Sequence, residues 1–523
     1  MDRRVAIIGA GISGLLACKY TLEKGFHPIV FEAQEDIGGI WRQTLESTKL
    51  QNPRESYQFS DFPWPSSINE EHPSNQQVLA YVKSYADHFS LVPYIKFNST
   101  VINIDYIGES FEEMESWDLW GGNGRPFGSK GKWHIAVQDT KNCSTEVYQV
   151  EFVVLAIGRF SGFPMIPEFP PDEGPEVFEG KVMHSMEYSA MNNESAAKLI
   201  KGRRVTVIGS QKSAVDIVAE CANANGAKYP CILIQRTAHW FLPSFSIGGI
   251  NLGLLYLNHF SDLLIHKPGE SILLSLVASL CSPLRWGISK FIENYLKWKL
   301  PLRKYGVVPE QSFLEDISAC TIGILPENFY DKVEEGSIIM KKAQKFRFWK
   351  EGLIIDGEAQ PLKTDLVILA TGYKGDQKLK CMFKSSTFQE YINGSETSKI
   401  FPLYRQIIHP QIPQLAIIGY SKSLSNLFSA EIRCQWLAHF LDGKIELPSI
   451  KEMEKEVGMW EDHMKKYAGK KFWTSCILMS KIWYNDQLCK DMKCNPRRRK
   501  GLFAEWLFPY EPKDYAGLTH TNK

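Results

Sequence analysis

Arg4-Val5-Ala6-Ile7-Ile8-Gly9-Ala10-Gly11-Ile12-Ser13-Gly14 stands near the head of the chain, followed by Leu15 to Lys24, Gly25 and Pro28-Ile29-Val30-Phe31-Glu32. The run to Ile8 predicts a buried parallel strand. Leu15 to Lys24 predicts a helix that Gly25 ends, and Pro28 to Phe31 predicts a second strand. Between the first strand and the helix lies a GxGxxG. Gly9 permits the tight turn, Gly11 lets a pyrophosphate approach the backbone, and Gly14 lets helix and strand pack closely. The helix start offers free N–H groups and a partial positive charge to phosphates. Glu32 ends the second strand, where a carboxylate accepts hydrogen bonds from a ribose diol. The stretch Gly9, Ala10, Gly11, Ile12, Ser13, Gly14 with Glu32 therefore reads as a dinucleotide site.

The pattern returns in mid-chain. Arg204-Val205-Thr206-Val207-Ile208 predicts a strand, Gly209-Ser210-Gln211-Lys212-Ser213-Ala214 a turn, Val215 onward a helix, and Cys231-Ile232-Leu233-Ile234-Gln235 another strand. Arg236 stands where the first site has Glu32. A guanidinium suits a 2′-phosphate that a carboxylate would repel, which favours NADP over NAD. Ala214 is an accepted variant at the sixth position. Gln211 at the third is a departure, because a side chain stands where the pyrophosphate should approach. Lys212 can offset it with charge; the alternative is a half that has lost its nucleotide.

Just after Glu32 comes Asp36-Ile37-Gly38-Gly39-Ile40-Trp41. Here the chain resembles the FAD-binding oxidoreductases, whose second strand is followed by a GG turn and an aromatic residue passing beside the flavin. The resemblance makes the first site an FAD site and adds Gly39, Ile40 and Trp41 to it. Between the two sites lies Phe178-Glu179-Gly180-Lys181-Val182-Met183-His184-Ser185-Met186-Glu187-Tyr188, which matches FxGxxxHxxxY. With Phe178, Gly180, His184 and Tyr188 the chain resembles the class B flavin monooxygenases. In that family flavin-containing monooxygenases usually end the motif on Tyr or Phe and Baeyer–Villiger enzymes on Trp, so Tyr188 implies N- or S-oxygenation. His184 is read as a structural residue, not a general base. Val153 to Gly158 with Pro164 and Pro167, Leu366 to Tyr373, and Ala416 to Gly419 with Glu431 to Trp436 also resemble the family, from residue 1 to about 440. Gln51-Asn52-Pro53 sits where many members carry an asparagine near flavin C4a, which makes Gln51 and Asn52 candidate catalytic amides. Ser60 to Pro65, Lys181 to Met186 and the degenerate second turn are most similar to plant flavin-containing monooxygenases of the pipecolate N-hydroxylating type.

Composition excludes other classes. Lys plus Arg is 60 and Asp plus Glu is 59, so no charge excess calls for nucleic acid. The eleven Cys are scattered without a CxxC, which reads as reduced thiols and disfavours a dithiol-relay reductase. The start of the chain mimics a signal peptide, but three glycines of the turn break its apolar run. The apolar stretch Ile272 to Cys281 is about half the ~20 residues a membrane span needs, so no transmembrane helix is expected. The short basic run Arg497 to Lys500 reads as solvated surface. The segment Asp262 to Leu300 reads as a core helix pair or substrate-channel lining, with a membrane-surface face as the alternative.

The fold class that follows is α/β, with two Rossmann-like domains and the NADP domain inserted into the FAD domain. The expected boundaries are 1–165 for the first FAD part, 166–345 for the NADP domain with an insertion at 240–325, 346–445 for the second FAD part, and 446–523 for a helical and loop extension. The resemblance implies a cytoplasmic or peripherally endoplasmic-reticulum enzyme using FAD, NADPH and O2, oxygenating a small nitrogen or sulfur nucleophile through a flavin C4a-hydroperoxide. A homodimer is compatible with this reading. The alternatives are an S-oxygenase, a Baeyer–Villiger or YUCCA-type oxygenase, and a flavin-binding sensor without turnover.

Overall fold

A computed structural model describes residues 3–393 and 401–518 of the chain. It begins with β1 (Arg4–Ile8), α1 (Ile12–Glu23), β2 (His27–Phe31), α2 (Asn75–His88) and β3 (Ile95–Lys96). An antiparallel sheet follows, β4 (Ser99–Ile107), β5 (Lys132–Asp139) and β6 (Thr145–Val150), and then β7 (Phe152–Leu155). The chain next builds β8 (Lys181–His184), β9 (Val205–Ile208), α3 (Lys212–Asn225), β10 (Cys231–Gln235), α4 (Ile272–Lys299), β11 (Ile338–Lys342) and β12 (Leu366–Leu369). It ends with β13 (Leu415–Ile417), α5 (Asn426–Leu441), α6 (Ile450–Ala468) and α7 (Leu502–Leu507).

Two five-stranded sheets organise this order, β13-β7-β1-β2-β3 and β11-β10-β9-β12-β8, and every pairing in them is parallel. The central strands are Phe-Val-Val-Leu, Val-Thr-Val-Ile and Leu-Val-Ile-Leu, and each is buried throughout. Such uninterrupted apolar strands need cover on both faces, which crossover helices supply. α1 and α3 begin at Ile12 and Lys212, three residues before the expected Leu15 and Val215, because the turn residues themselves form the first helical turn.

The second sheet moves one boundary. Leu366–Leu369 pairs with β9 and β8, so the chain returns to the first sheet after residue 369, not at 346. The outgoing and returning linkers run side by side: Met165 N–H donates to Gly372 O at 2.8 Å and Lys374 N–H to Phe163 O at 2.8 Å. The two linkers form a backbone-paired hinge between the sheets.

The insertion and the C-terminal extension share a core, in which Trp240, Ile292, Leu296 and Phe313 pack with Met464 and Leu478. α5 is buried from Leu427 to Leu441, between α1 and the helix Lys481–Asp491. Two sequence expectations are corrected here. Cys320 and Cys476 form a disulfide across a separation of 156 residues, where free thiols were expected. Spacing could not reveal it, because the partners meet only when the insertion packs on the extension. α4 continues past Cys281 for 28 residues in all, since Ser282, Pro283 and Arg285 interrupt the apolar run without ending the helix. It is long and apolar enough, by length and composition alone, to cross a membrane.

A link across so long a loop restricts the unfolded chain. Reduction, or the pair Cys320→Ser and Cys476→Ser, is expected to lower the thermal midpoint by several degrees in calorimetry. An unchanged midpoint would mean that the packing of insertion on extension suffices.

Candidate functional site

The first glycine turn is held by backbone on all sides. A Cβ on Gly14 would stand 1.8 Å from Gly9 O, and one on Gly9 2.7 Å from Ala156 O. Gly38 N–H donates to Ala10 O at 3.2 Å, and a Cβ on Gly39 would stand 2.9 Å from the Gly11 Cα. The GG turn therefore lies directly on the GxGxxG. Ile12 and Ser13 open α1, whose N-terminus has no side-chain cap. By contrast Ser74, Ser271, Ser425 and Ser449 cap α2, α4, α5 and α6. The uncapped N–H groups and the space a Cβ would fill fit a pyrophosphate.

Glu32 is buried at the end of β2, where its carboxylate accepts from Ala10 N–H at 2.6 Å and from Gln34 N–H at 2.9 Å. It braces the turn through both carboxylate oxygens. Lys378 donates to Ile157 O at 2.6 Å and Ser161 Oγ at 2.8 Å, and burial lowers its ammonium to about 8. Trp41 donates through Nε1 to the Tyr57 hydroxyl at 2.8 Å, and Ile40 is exposed.

The second turn repeats the geometry in part. A Cβ on Gly209 would meet Ala370 O at 2.4 Å, as Gly9 meets Ala156. α3 also lacks a side-chain cap, and Gln211 and Ser213 are exposed at its start beside Ser210. Ala214 is buried and occupies the place of Gly14. Lys212 pairs with Asp216 at 2.6 Å, so its charge is directed along the helix. Arg236 is exposed at the end of β10, and only its carbonyl is engaged, by the Gln344 amide at 3.2 Å. Uncapped N–H groups and an exposed guanidinium with no carboxylate bonded to it among the described residues fit a phosphorylated nucleotide.

The FxGxxxHxxxY residues are structural in their contacts. Phe178 packs on Phe348 at 5.7 Å, and a Cβ on Gly180 would meet Asp365 O at 2.7 Å. His184 is buried and accepts from Met186 N–H at Nδ1, capping the short helix Ser185–Ser189. Burial lowers its pKa, so the ring is neutral, and its edge meets the Tyr373 ring of the returning linker at 5.4 Å. Tyr188 is fully buried and donates to Glu220 at 3.1 Å.

Gln51 and Asn52 lie on a seam between the two halves. The Gln51 amide oxygen accepts from Ile324 N–H of the insertion at 3.4 Å, and the Asn52 amide donates to Leu424 O at 2.7 Å. Just before them Ser47 donates to Glu220 at 2.9 Å, Thr48 to Asp216 at 3.0 Å, and Lys49 pairs with Glu327 at 2.8 Å. Burial raises both the Asp216 and Glu220 carboxyls above their ordinary values. Sequence reasoning missed this seam. Its one legible signal was the i,i+4 acidic pair on a helix whose other face is apolar.

Also missed was a cationic cluster at the loop after β13. A Cβ on Gly419 would meet Ser13 Oγ at 2.8 Å, which places this loop on the first turn. Arg159 is buried, donates to Tyr420 O at 3.2 Å and Thr474 O at 3.3 Å, and pairs with Asp376 at 3.4 Å. Lys422 stands beside it, 5.6 Å from the Phe160 ring centroid, with no carboxylate partner among the described residues. Burial, then Arg159 and Lys471, lower its ammonium to about 8.

A family model described as FMO-like, flavin-binding monooxygenase-like, matches residues 2–504. The chain is 41% identical over 519 residues to the probable flavin-containing monooxygenase 1 of Arabidopsis thaliana, covering 98% of this chain and 96% of that protein. It is 25% identical to human flavin-containing monooxygenase 1, covering 95% and 84%. Among solved structures, the S-allyl-L-cysteine S-oxygenase of Allium sativum aligns with TM-score 0.56 at 19% identity, covering 95% and 89%. An oxidised steroid monooxygenase bound to NADP aligns with TM-score 0.64 at 16% identity, covering 93% and 96%. At these identities the structures show a shared fold of two Rossmann-like domains.

Gly14→Ala must displace the backbone of the first turn, and the purified protein is expected to lose at least tenfold of its flavin absorbance. Full flavin content would refute the role of that turn. Gln211→Gly clears the second turn and is expected to tighten NADPH severalfold in titration. Weaker binding would mean that the Gln211 amide makes a contact of its own.

Proposed function

We propose, for a chain that belongs to the flavin-binding monooxygenase-like family and uses FAD, NADPH and O2, that the oxygen goes to the nitrogen of a small amine or imino acid such as pipecolate. The observation that supports the substrate class is Lys422, a half-buried ammonium without a carboxylate partner among the described residues, on the loop that joins the first glycine turn to Asn52. An isolated buried cation is costly, and a carboxylate in a bound imino acid would offset it. Tyr188 supports N- over Baeyer–Villiger chemistry as a sequence signature only, since its hydroxyl is engaged by Glu220 inside the second domain.

Bound FAD supplies hydride acceptance from NADPH and transfer of one oxygen atom to the substrate. The chain supplies position and dryness. The first turn and Glu32 would hold FAD by its pyrophosphate and ribose, while the second turn and Arg236 would hold NADPH by its pyrophosphate and 2′-phosphate. Asn52 fixes the loop of Lys422 through Leu424, and Gln51 ties the insertion to the same seam. Arg159 clamps that loop to the C-terminal extension, which keeps water from the buried edge. The nitrogen attacks as its free base, its ammonium proton having been lost to water, so pH acts both on the substrate amine and on the charge of Lys422.

Incubation with NADPH, labelled O2 and pipecolate is expected to give an N–O product carrying one labelled oxygen. With a thioether offered in a parallel incubation, S-oxide formation there and no oxygenation of pipecolate would overturn the choice of nitrogen. Lys422→Gln is expected to raise KM for pipecolate roughly tenfold, on the order of one lost ion pair of ~1.4 kcal/mol, and to leave piperidine, which lacks the carboxylate, unchanged. Lys422 loses its charge as pH rises through about 8, so KM for pipecolate should climb above that pH in the parent and not in the variant. A KM equal for both amines would remove Lys422 from substrate recognition.

A further inference from the structure

α4 leaves its apolar side in solvent. Ile272, Leu273, Leu280 and Trp298 are each more than two-thirds exposed, and Leu276 and Trp286 more than half. Its other side is fixed to the protein. Arg285 is buried, donates to Leu255 O at 3.0 Å and lies 4.1 Å from the Tyr256 ring centroid. Glu293 is buried, accepts from Phe313 N–H at 3.0 Å and from Lys290 at 2.8 Å. Ile292 and Leu296 are completely covered.

The short helix His259–Leu263 packs against both α4 and α7. Asn258, its cap, donates to Leu507 O at 3.2 Å. Leu502 and Phe503, at the start of α7, are also more than two-thirds exposed. The basic run Arg497 to Lys500 leads directly into them. Arg498 and Arg499 turn inward to Asp514 and Ala516, but Arg497 and Lys500 are exposed. Neither of these two, nor Lys299, has a carboxylate partner among the described residues. The acidic residues of the two helices, Glu293 and Glu505, are both buried. The exposed charge on this face is therefore basic, beside exposed leucines and tryptophans.

We propose that the face formed by α4 and α7 docks on an anionic phospholipid surface, with α4 lying in the plane of the headgroups. Apolar residues on one side, tryptophans at the boundary and uncompensated basic charge suit that surface. A spanning orientation is disfavoured, because it would strip Arg285 and Glu293 of their partners and draw both into hydrocarbon. A second copy of the chain is disfavoured too. An isologous contact would set the same patch against itself, and with it like charges.

The test uses the full-length, flavin-loaded protein in flotation with vesicles of phosphatidylcholine alone and of phosphatidylcholine with phosphatidylserine. Binding is expected to the mixed vesicles, to weaken as salt rises, and to be much weaker without phosphatidylserine. Leu276→Asp with Leu280→Asp, and separately Arg497→Glu with Lys500→Glu, should each cut the bound fraction roughly tenfold or more, with flavin content and NADPH oxidation unchanged. Tryptophan fluorescence should be quenched by lipids brominated near the headgroup, less so in Trp286→Phe. Absence of flotation, variants that float as the parent does, or quenching only by lipids brominated at the chain end would overturn the proposal. So would a lipid-free dimer, seen by light scattering, that Leu276→Asp with Leu280→Asp splits.

Discussion

Everything here depends on a contact too close for a side chain. In each half, the glycine that leaves the first strand lies against the carbonyl that ends the neighbouring central strand: Gly9 against Ala156, and Gly209 against Ala370. That approach sets the next helix directly over the carboxyl ends of two adjacent strands. The helix then begins with no side chain to satisfy its first N–H groups, at the place where doubly wound sheets bind ligands. The first half adds a second approach of backbone on backbone, Gly39 on Gly11, and so walls the phosphate cradle on a further side.

This much is readable from one sequence because local geometry dictates it. A β-rich run, a spaced set of glycines and a charged residue at the next strand end encode the turn within a few residues. The topology followed from the repeat. What escaped was tertiary. Lys422 looks like a polar loop residue until the amide of Asn52, a candidate from the sequence, is seen on the Leu424 carbonyl. The disulfide joins two segments that share no local pattern. The boundary at 346 failed because Leu366–Leu369, an apolar strand like any other, pairs within the second sheet before the linker leaves it. α4 was cut short by reading an apolar run where the helix needed only a continuous backbone and tolerated Pro283.

The family motif illustrates the same limit. FxGxxxHxxxY is a strong sequence signature, and the contacts of its side chains are packing and capping contacts. Phe178 and Gly180 seat β8 against the strand beside it, His184 caps a helix and touches the returning linker, and Tyr188 fills the second core. The motif constrains how the second domain stands on its hinge.

That placement has a specific coupling built into α3. Lys212 opens the helix and pairs with Asp216 one turn on; Asp216 also accepts from Thr48, and Glu220, one turn further, accepts from Ser47 and Tyr188. The helix that presents its N-terminus to the second nucleotide thus grips the segment leading to Gln51 and Asn52. Asp216 is buried and already raised by desolvation, with Lys212 as its main stabilising charge. A phosphate drawing Lys212 toward the turn would leave that carboxylate dependent on Thr48, or protonated. Either change alters the grip on residues 47–52. Lys212 thus links the start of α3, through Asp216 and Thr48, to the segment at residues 47–52.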